Sequence, residues 1–147
     1  IFAGVDCGLR EHCEDIVADA GMLQRVTFIA GLPHDQIVEH FRSATVCVFP
    51  ALWENYPYPC IEAMAVGCAV VACNVGGFSD IIEDRVSGLL VDAGDSDSLA
   101  DAVTEIIAND KLGNSLRQNA PGRIRTTCDS QLVAERSLEI YRGVLGQ

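Results

Sequence analysis

Short apolar runs alternate along this chain with stretches in which apolar residues recur every three or four positions, the mixed pattern of an α/β fold. Ile1 to Val5 (IFAGV) reads as a strand and Asp6 to Arg10 as a loop. From Glu11 to Met22, Ile16, Val17 and Ala20 among acids predict an amphipathic helix. Arg25 to Ala30 (RVTFIA) predicts a second strand, closed by Gly31, Leu32 and Pro33. His34 to Ser43 then carries Ile37, Val38 and Phe41 at helical spacing, with Asp35 in the first turn. Thr45 to Pro50 (TVCVFP) is a β-branched and aromatic run that proline ends, because proline donates nothing to a ladder.

Ala51 to Pro57 follows as a loop. Pro57 and Pro59 suit a helix entry, so the next helix is predicted from Tyr58 to Val66, stopping at Gly67. Ala69 to Cys73 predicts another strand, Val75-Gly76-Gly77 a turn and Phe78 to Glu83 a short helix. Ser87 to Val91 reads as the last strand. A helix after Gly94 to Asp97 buries Leu99, Ala102, Val103, Ile106 and Ile107, with Asp95 or Ser96 as N-cap. Two further helices are predicted, Leu112 to Asn119 and Gln131 to Val144.

Strand, loop, helix and strand in succession make a βαβ unit, so the loop at Glu54 is placed at the carboxyl edge of a parallel sheet, where open α/β folds bind ligands. Glu62 is expected near the first turn of the helix that follows. Free backbone N–H groups and the helix dipole there suit phosphate. Between Asn55 and Ser79 only Glu62 carries a formal charge, which predicts a carboxylate partly out of water. The plain alternatives are a solvated loop acid or helix cap for Glu54 and a dipole-stabilising acid for Glu62. Trp53, Tyr56 and Tyr58 read as packing or loop-shaping residues rather than stacking platforms. His12, His34 and His40, on polar helix faces or a loop, are assigned no catalytic role, and Glu11, Glu14 and Asp15 read as a solvated face.

Composition narrows the choice of partner. A length of 147 residues suits one domain, and 49% hydrophobic with 21% charged residues is ordinary globular usage. A net charge of -11 argues against nucleic acid or an anionic membrane surface, since both require a basic face. No apolar run approaches the length of a membrane span and no signal peptide is visible. Cys7, Cys13, Cys47, Cys60, Cys68, Cys73 and Cys128 form no C-x-x-C pair and have no histidine at zinc-ligand spacing. They are expected to be reduced structural thiols of a cytoplasmic protein, with Cys47, Cys60, Cys68 and Cys73 as small core residues. The chain starts at Ile1 rather than Met, which predicts a fragment or excised domain.

WENYPYPCIEAMAVG, followed by VVACNVGGFSDII and the SGLLV run at Ser87 to Val91, resembles the C-terminal nucleotide-sugar-binding half of retaining GT-B glycosyltransferases of the group-1 (GT4-like) family. The likeness rests on the proline-ended strand, the Glu-x7-Glu spacing, the EAMA-x-G helix and the Gly76-Gly77 turn in order, and it covers nearly the whole chain. It implies a three-layer Rossmann-like parallel sheet lacking its first strand and helix, as a single donor-binding domain over residues 1–147. It implies that Glu54 accepts hydrogen bonds from the donor sugar and that its charge supports the cationic transition state, and that Glu62 takes the ribose hydroxyls. Backbone N–H groups from Asn55 to Tyr58, across Tyr56 and Pro57, would contact the diphosphate. The turn at Gly76 and Gly77 would approach the donor sugar or diphosphate, and the nucleobase would lie over Ala30, Gly31 and Leu32 as far as Pro33. At Asp80 the family more often has glutamate.

The resemblance implies no cofactor besides the nucleoside-diphosphate sugar substrate and no divalent metal, helix dipoles and cationic side chains serving instead. Asp95-x-Asp97 belongs to a distant helix cap. The resemblance implies that the basic pair that clamps the diphosphate lies upstream of Ile1, and nothing here replaces it, since no Lys or Arg lies between Ser43 and Asp84. A missing N-terminal acceptor-binding domain is implied as well, toward which the last helix returns, and membrane association would come only through it. The chain alone is therefore expected to bind donor weakly and not to catalyse transfer. Other readings are a nucleotide-sugar epimerase on the same fold and a non-catalytic binding domain. A dinucleotide-binding module is disfavoured, since Gly4 and Gly8 do not reproduce G-x-G-x-x-G.

Overall fold

Two compact units make up the computed structural model, which describes residues 1–4 and 8–146: Ile1–Ile37, and the chain from Val38 onward. In the first, strand β1 (Phe2–Ala3) pairs in parallel with β2 (Phe28–Ile29), across helix α1 (Arg10–Asp19) and a 3₁₀ turn at Leu23–Arg25. The Phe2 and Phe28 rings stack at 5.0 Å, and the Arg10 guanidinium lies 5.5 Å from the Phe28 ring centre. Both strands are shorter than predicted, Arg25 being drawn into the 3₁₀ turn. Helix α1 forms without burying a residue, so the apolar side chains that predicted it do not form a core face here; Ile16 is 56% exposed. Val5, Asp6 and Cys7 lie outside the described residues. Helix α2 (His34–Ser43) has its predicted bounds.

The second unit holds a parallel sheet of β3 (Cys47–Phe49), β4 (Val70–Cys73) and β5 (Leu89–Val91) in the order β3-β4-β5. Helix α3 (Tyr58–Ala65) connects the first two strands and α4 (Phe78–Ile81) lies between the last two, followed by α5 (Ser96–Ala108), α6 (Asp110–Thr127) and α7 (Ser130–Leu145). Every residue of β4 is buried, as a central parallel strand requires. Its side chains alternate between faces. Val70 and Ala72 join Cys60, Ala63, Met64 and Phe78 of α3 and α4, whereas Ala69 and Val71 pack with Leu89, Ala102, Ile106 and Leu116 on the α5 side. This makes three layers, helix, sheet and helix, and Asp95 caps α5 as predicted by accepting from the Ser98 N–H. Ile107, expected in the buried face of α5, is instead 58% exposed.

Helix α6 overturns a boundary: it continues past Asn119 to Thr127 with Pro121 inside it. Proline in a helix interior costs about 3 kcal/mol through the missing N–H and the clash with the preceding turn. Leu116, Ala120 and Ile124, one turn apart and all buried, supply the packing that outweighs it. Helix α7, by contrast, buries no residue, and Tyr141 and Val144 are 65% and 80% exposed. No helix among the described residues is long and apolar enough to cross a membrane.

Candidate functional site

The chain leaves the carboxyl end of β3 at Phe49 and reaches α3 only at Tyr58, so Glu54 lies in a loop at the sheet edge, as the parallel order predicted. Its side chain folds back on its own backbone. One carboxylate oxygen, Oε1, accepts the N–H of Asn55 at 2.8 Å and of Tyr56 at 3.1 Å. Two N–H donors on one oxygen fix the carboxylate's direction. Pro57 is buried and precedes α3, and the Tyr58 N–H bonds to the Tyr56 carbonyl at 3.0 Å. The N–H groups of Asn55, Tyr56 and Tyr58 thus have partners inside the loop, and Pro57 has none to give.

The Gly76-Gly77 turn lies directly against this loop. A Cβ on Gly76, whose φ is +50°, would stand 1.6 Å from the Glu54 carbonyl oxygen. A Cβ on Gly77 would stand 2.3 Å from the Asn55 carbonyl oxygen and 3.1 Å from Pro57 Cδ. Real side chains do not approach a carbonyl so closely, so both positions accept only glycine without a shift of the loop. The Gly77 N–H points at the Glu54 carbonyl at 3.4 Å, and Ser79 Oγ donates to the Gly76 carbonyl at 3.0 Å. Sequence reasoning read the glycines for their freedom and overlooked Ser79. The only signal for Ser79 was a hydroxyl residue three positions past a turn glycine, a common pattern for bonding back to the chain.

Glu62 is half-buried on α3. Because α3 starts at Tyr58, it falls in the second turn rather than the first. Of the loop's aromatic residues, Trp53 is 79% exposed and Tyr58 66%, so neither lies in the core. Tyr56 packs edge-on against Tyr58 with ring centres 5.1 Å apart. Its hydroxyl is pushed up to about 12, first by a hydrogen bond with the Cys128 thiol and then by burial. Cys128 stands at the carboxyl end of α6. The same helix reaches the short α4 through Arg123, which donates to the Asp80 carbonyl at 2.8 Å and to Ile81 at 3.0 Å.

Glu54, Asn55, Tyr56, Pro57, Gly76 and Gly77 are therefore brought together, with Tyr58 and Glu62 on the adjoining helix. Ala30, Gly31 and Leu32 follow β2 in the first unit, with Leu32 half-buried. Among the described residues no group of three or more His, Cys, Asp or Glu side chains is placed to hold a metal ion. An open hollow of about 520 Å³ lies elsewhere, between β5 and α5, bounded by Asp84, Arg85, Ser98, Asp101 and Glu105. Chemically, the Glu54 loop offers a fixed carboxylate whose second oxygen can accept from a hydroxyl.

Known proteins share this architecture. The chain is 31% identical over 137 residues to a D-inositol 3-phosphate glycosyltransferase of Acidothermus cellulolyticus, a match covering 93% of this chain and 30% of that protein. Sucrose-phosphate synthase from Thermosynechococcus elongatus superposes with a TM-score of 0.84 at 29% identity, over 97% of this chain and 37% of that one. Anabaena Alr3699/HepE, solved in complex with UDP, shares the fold with a TM-score of 0.83 at 21% identity, over 96% of this chain and 40% of that one. The chain thus spans about a third of the length of the relatives it matches. The profile for glycosyl transferases group 1 matches residues 1–123, and with the parallel α/β fold it shows that this chain belongs to that family.

Proposed function

We propose that this chain forms the donor-binding part of a glycosyltransferase that moves a sugar from a nucleoside diphosphate to an acceptor with retention of anomeric configuration. The observation that carries the reading is Glu54 on the loop after β3, its carboxylate directed by two backbone N–H groups and its backbone seated on the Gly76-Gly77 turn. Transfer builds positive charge on the sugar and negative charge on the leaving diphosphate, so a catalyst must meet both where they develop. Glu54 accepts from sugar hydroxyls through its second oxygen and stabilises the cationic ring. Glu62, on the helix that follows the loop, takes the ribose hydroxyls.

The N–H groups of Asn55, Tyr56 and Tyr58 already hold the loop together. The diphosphate is accordingly assigned to basic groups outside this stretch, in the rest of the intact protein, with no divalent metal and a cytoplasmic setting. By itself the 147-residue chain binds donor weakly and does not transfer. Calorimetry of the intact protein with a panel of UDP-sugars and GDP-sugars tests the reading, together with the anomeric configuration of the product by NMR. Expected are micromolar binding of at least one donor and a product with the donor's configuration. Absence of binding to every donor, or inversion, overturns it.

A further inference from the structure

We propose that the Gly76-Gly77 turn, braced by Ser79, is a positioning device that sets where the Glu54 carboxylate stands. The proposal rests on the transferase reading and adds to it a role for residues that touch Glu54 rather than the donor. Glu54 is held at both ends. Its carboxylate is fixed by the Asn55 and Tyr56 N–H groups, and its own carbonyl, with that of Asn55, lies against the bare Cα surfaces of the two glycines. The approach leaves no slack. An added methyl would meet backbone oxygen at 1.6 Å or 2.3 Å, where real Cβ atoms essentially never come closer than 3.0 Å. The 54–55 peptide must then move by about an ångström, and the carboxylate hung from it moves too. Displacement of that size at a reacting centre costs about 10²-fold in rate.

Other glycines show that this is not a general demand of the turns. Gly94 has φ +82°, yet a Cβ there meets nothing within 4 Å, so that glycine serves backbone conformation alone. Gly77 is the opposite case: its φ of −66° suits any residue, and only the contact with Asn55 and Pro57 excludes a side chain. The Ser79 bond to the Gly76 carbonyl fixes the turn from the far side. A glycine that contacted donor directly would, when enlarged, weaken donor binding. A glycine that positions Glu54 would leave binding by other groups and lower the chemical step.

The test compares Gly77→Ala, Ser79→Ala and, as control, Gly94→Ala in the intact protein, reading kcat and KM for a UDP-sugar or GDP-sugar donor beside the thermal midpoint. Gly77→Ala is expected to lower kcat by about 10²-fold with KM changed less than threefold, Ser79→Ala to lower kcat severalfold at an unchanged midpoint, and Gly94→Ala to leave kcat as it was. Unchanged kcat in Gly77→Ala and Ser79→Ala, or a rise in KM alone, overturns the proposal. Should Gly77→Ala fail to fold, Ser79→Ala decides by the same criterion. If the wild type transfers no sugar, the transferase reading fails, and positioning is then judged from crystal structures of wild type and Ser79→Ala. A displaced or disordered Glu54 carboxylate supports it and an unmoved one overturns it.

Discussion

Gly67 meets Pro121 where the sixth helix has a gap in its ladder: a Cβ on Gly67 would lie 3.8 Å from Pro121 Cγ and 3.5 Å from the Arg117 carbonyl oxygen. That carbonyl is four residues before Pro121, which has no N–H to give it. The end of α3 therefore rests on α6 at the point where its backbone is least satisfied. Pro121→Ala restores the donor and is expected to stabilise the protein by about 1 to 3 kcal/mol, after allowance for the freer unfolded chain. Urea unfolding measures it, and a loss of stability would mean that the ring's contact with Gly67 matters more than the helix bond.

Glu54→Gln keeps an oxygen for the Asn55 and Tyr56 N–H groups while removing the charge. In the intact protein it is expected to keep the fold and donor affinity yet lower kcat by about 10²-fold or more. Glu62→Ala, which under the proposed function removes hydrogen bonds to the donor's ribose, should instead weaken donor binding by roughly 10- to 100-fold. Steady-state kinetics with calorimetry separate the two. Equal effects on kcat and KM from both substitutions would contradict the division of roles.

Two groups predict a loss of stability at high pH. Burial, with smaller contributions from Cys128 and Cys68, pushes the Cys60 thiol from 9.0 up to about 12. The Cys128 bond and burial raise Tyr56 from 10.0 to about 12. For each, the folded state holds its proton more tightly than the unfolded chain, so the contribution is complete below the unfolded pKa and is lost as pH climbs to the folded one. The window runs from about pH 9 to about pH 12, with a slope of up to about 1.4 kcal/mol per pH unit from Cys60. Denaturant titrations across that range check it. In Cys128→Ala, Tyr56 should ionise nearer its ordinary value, visible in the absorbance of tyrosinate.

Thiol burial is ordered as well. Cys60, Cys68 and Cys73 are buried, whereas Cys13 and Cys128 are partly exposed. Cys68 lies 3.4 Å from Cys47, sulfur to sulfur. Iodoacetamide at pH 8 is expected to modify Cys13 and Cys128 well before Cys60, followed by peptide mass spectrometry. Early labelling of Cys60 would show that α3 opens readily from the sheet.

The pattern of the chain determined the parallel α/β class, helix α2 to the residue, the Asp95 cap and the placing of Glu54 after a proline-ended strand, because each depends on local chemistry that neighbours in sequence supply. It determined, too, that Gly76 and Gly77 were needed as glycines. Why they were needed only the tertiary structure decided. The atoms that exclude a side chain there belong to Glu54, Asn55 and Pro57, some twenty residues away, and no periodicity carries that contact. The same holds for the sixth helix: the pattern ended it at Asn119, and buried Leu116, Ala120 and Ile124 carry it through Pro121 to Thr127. Propensity is settled among near neighbours, whereas burial and close approach are settled by whatever the fold brings alongside.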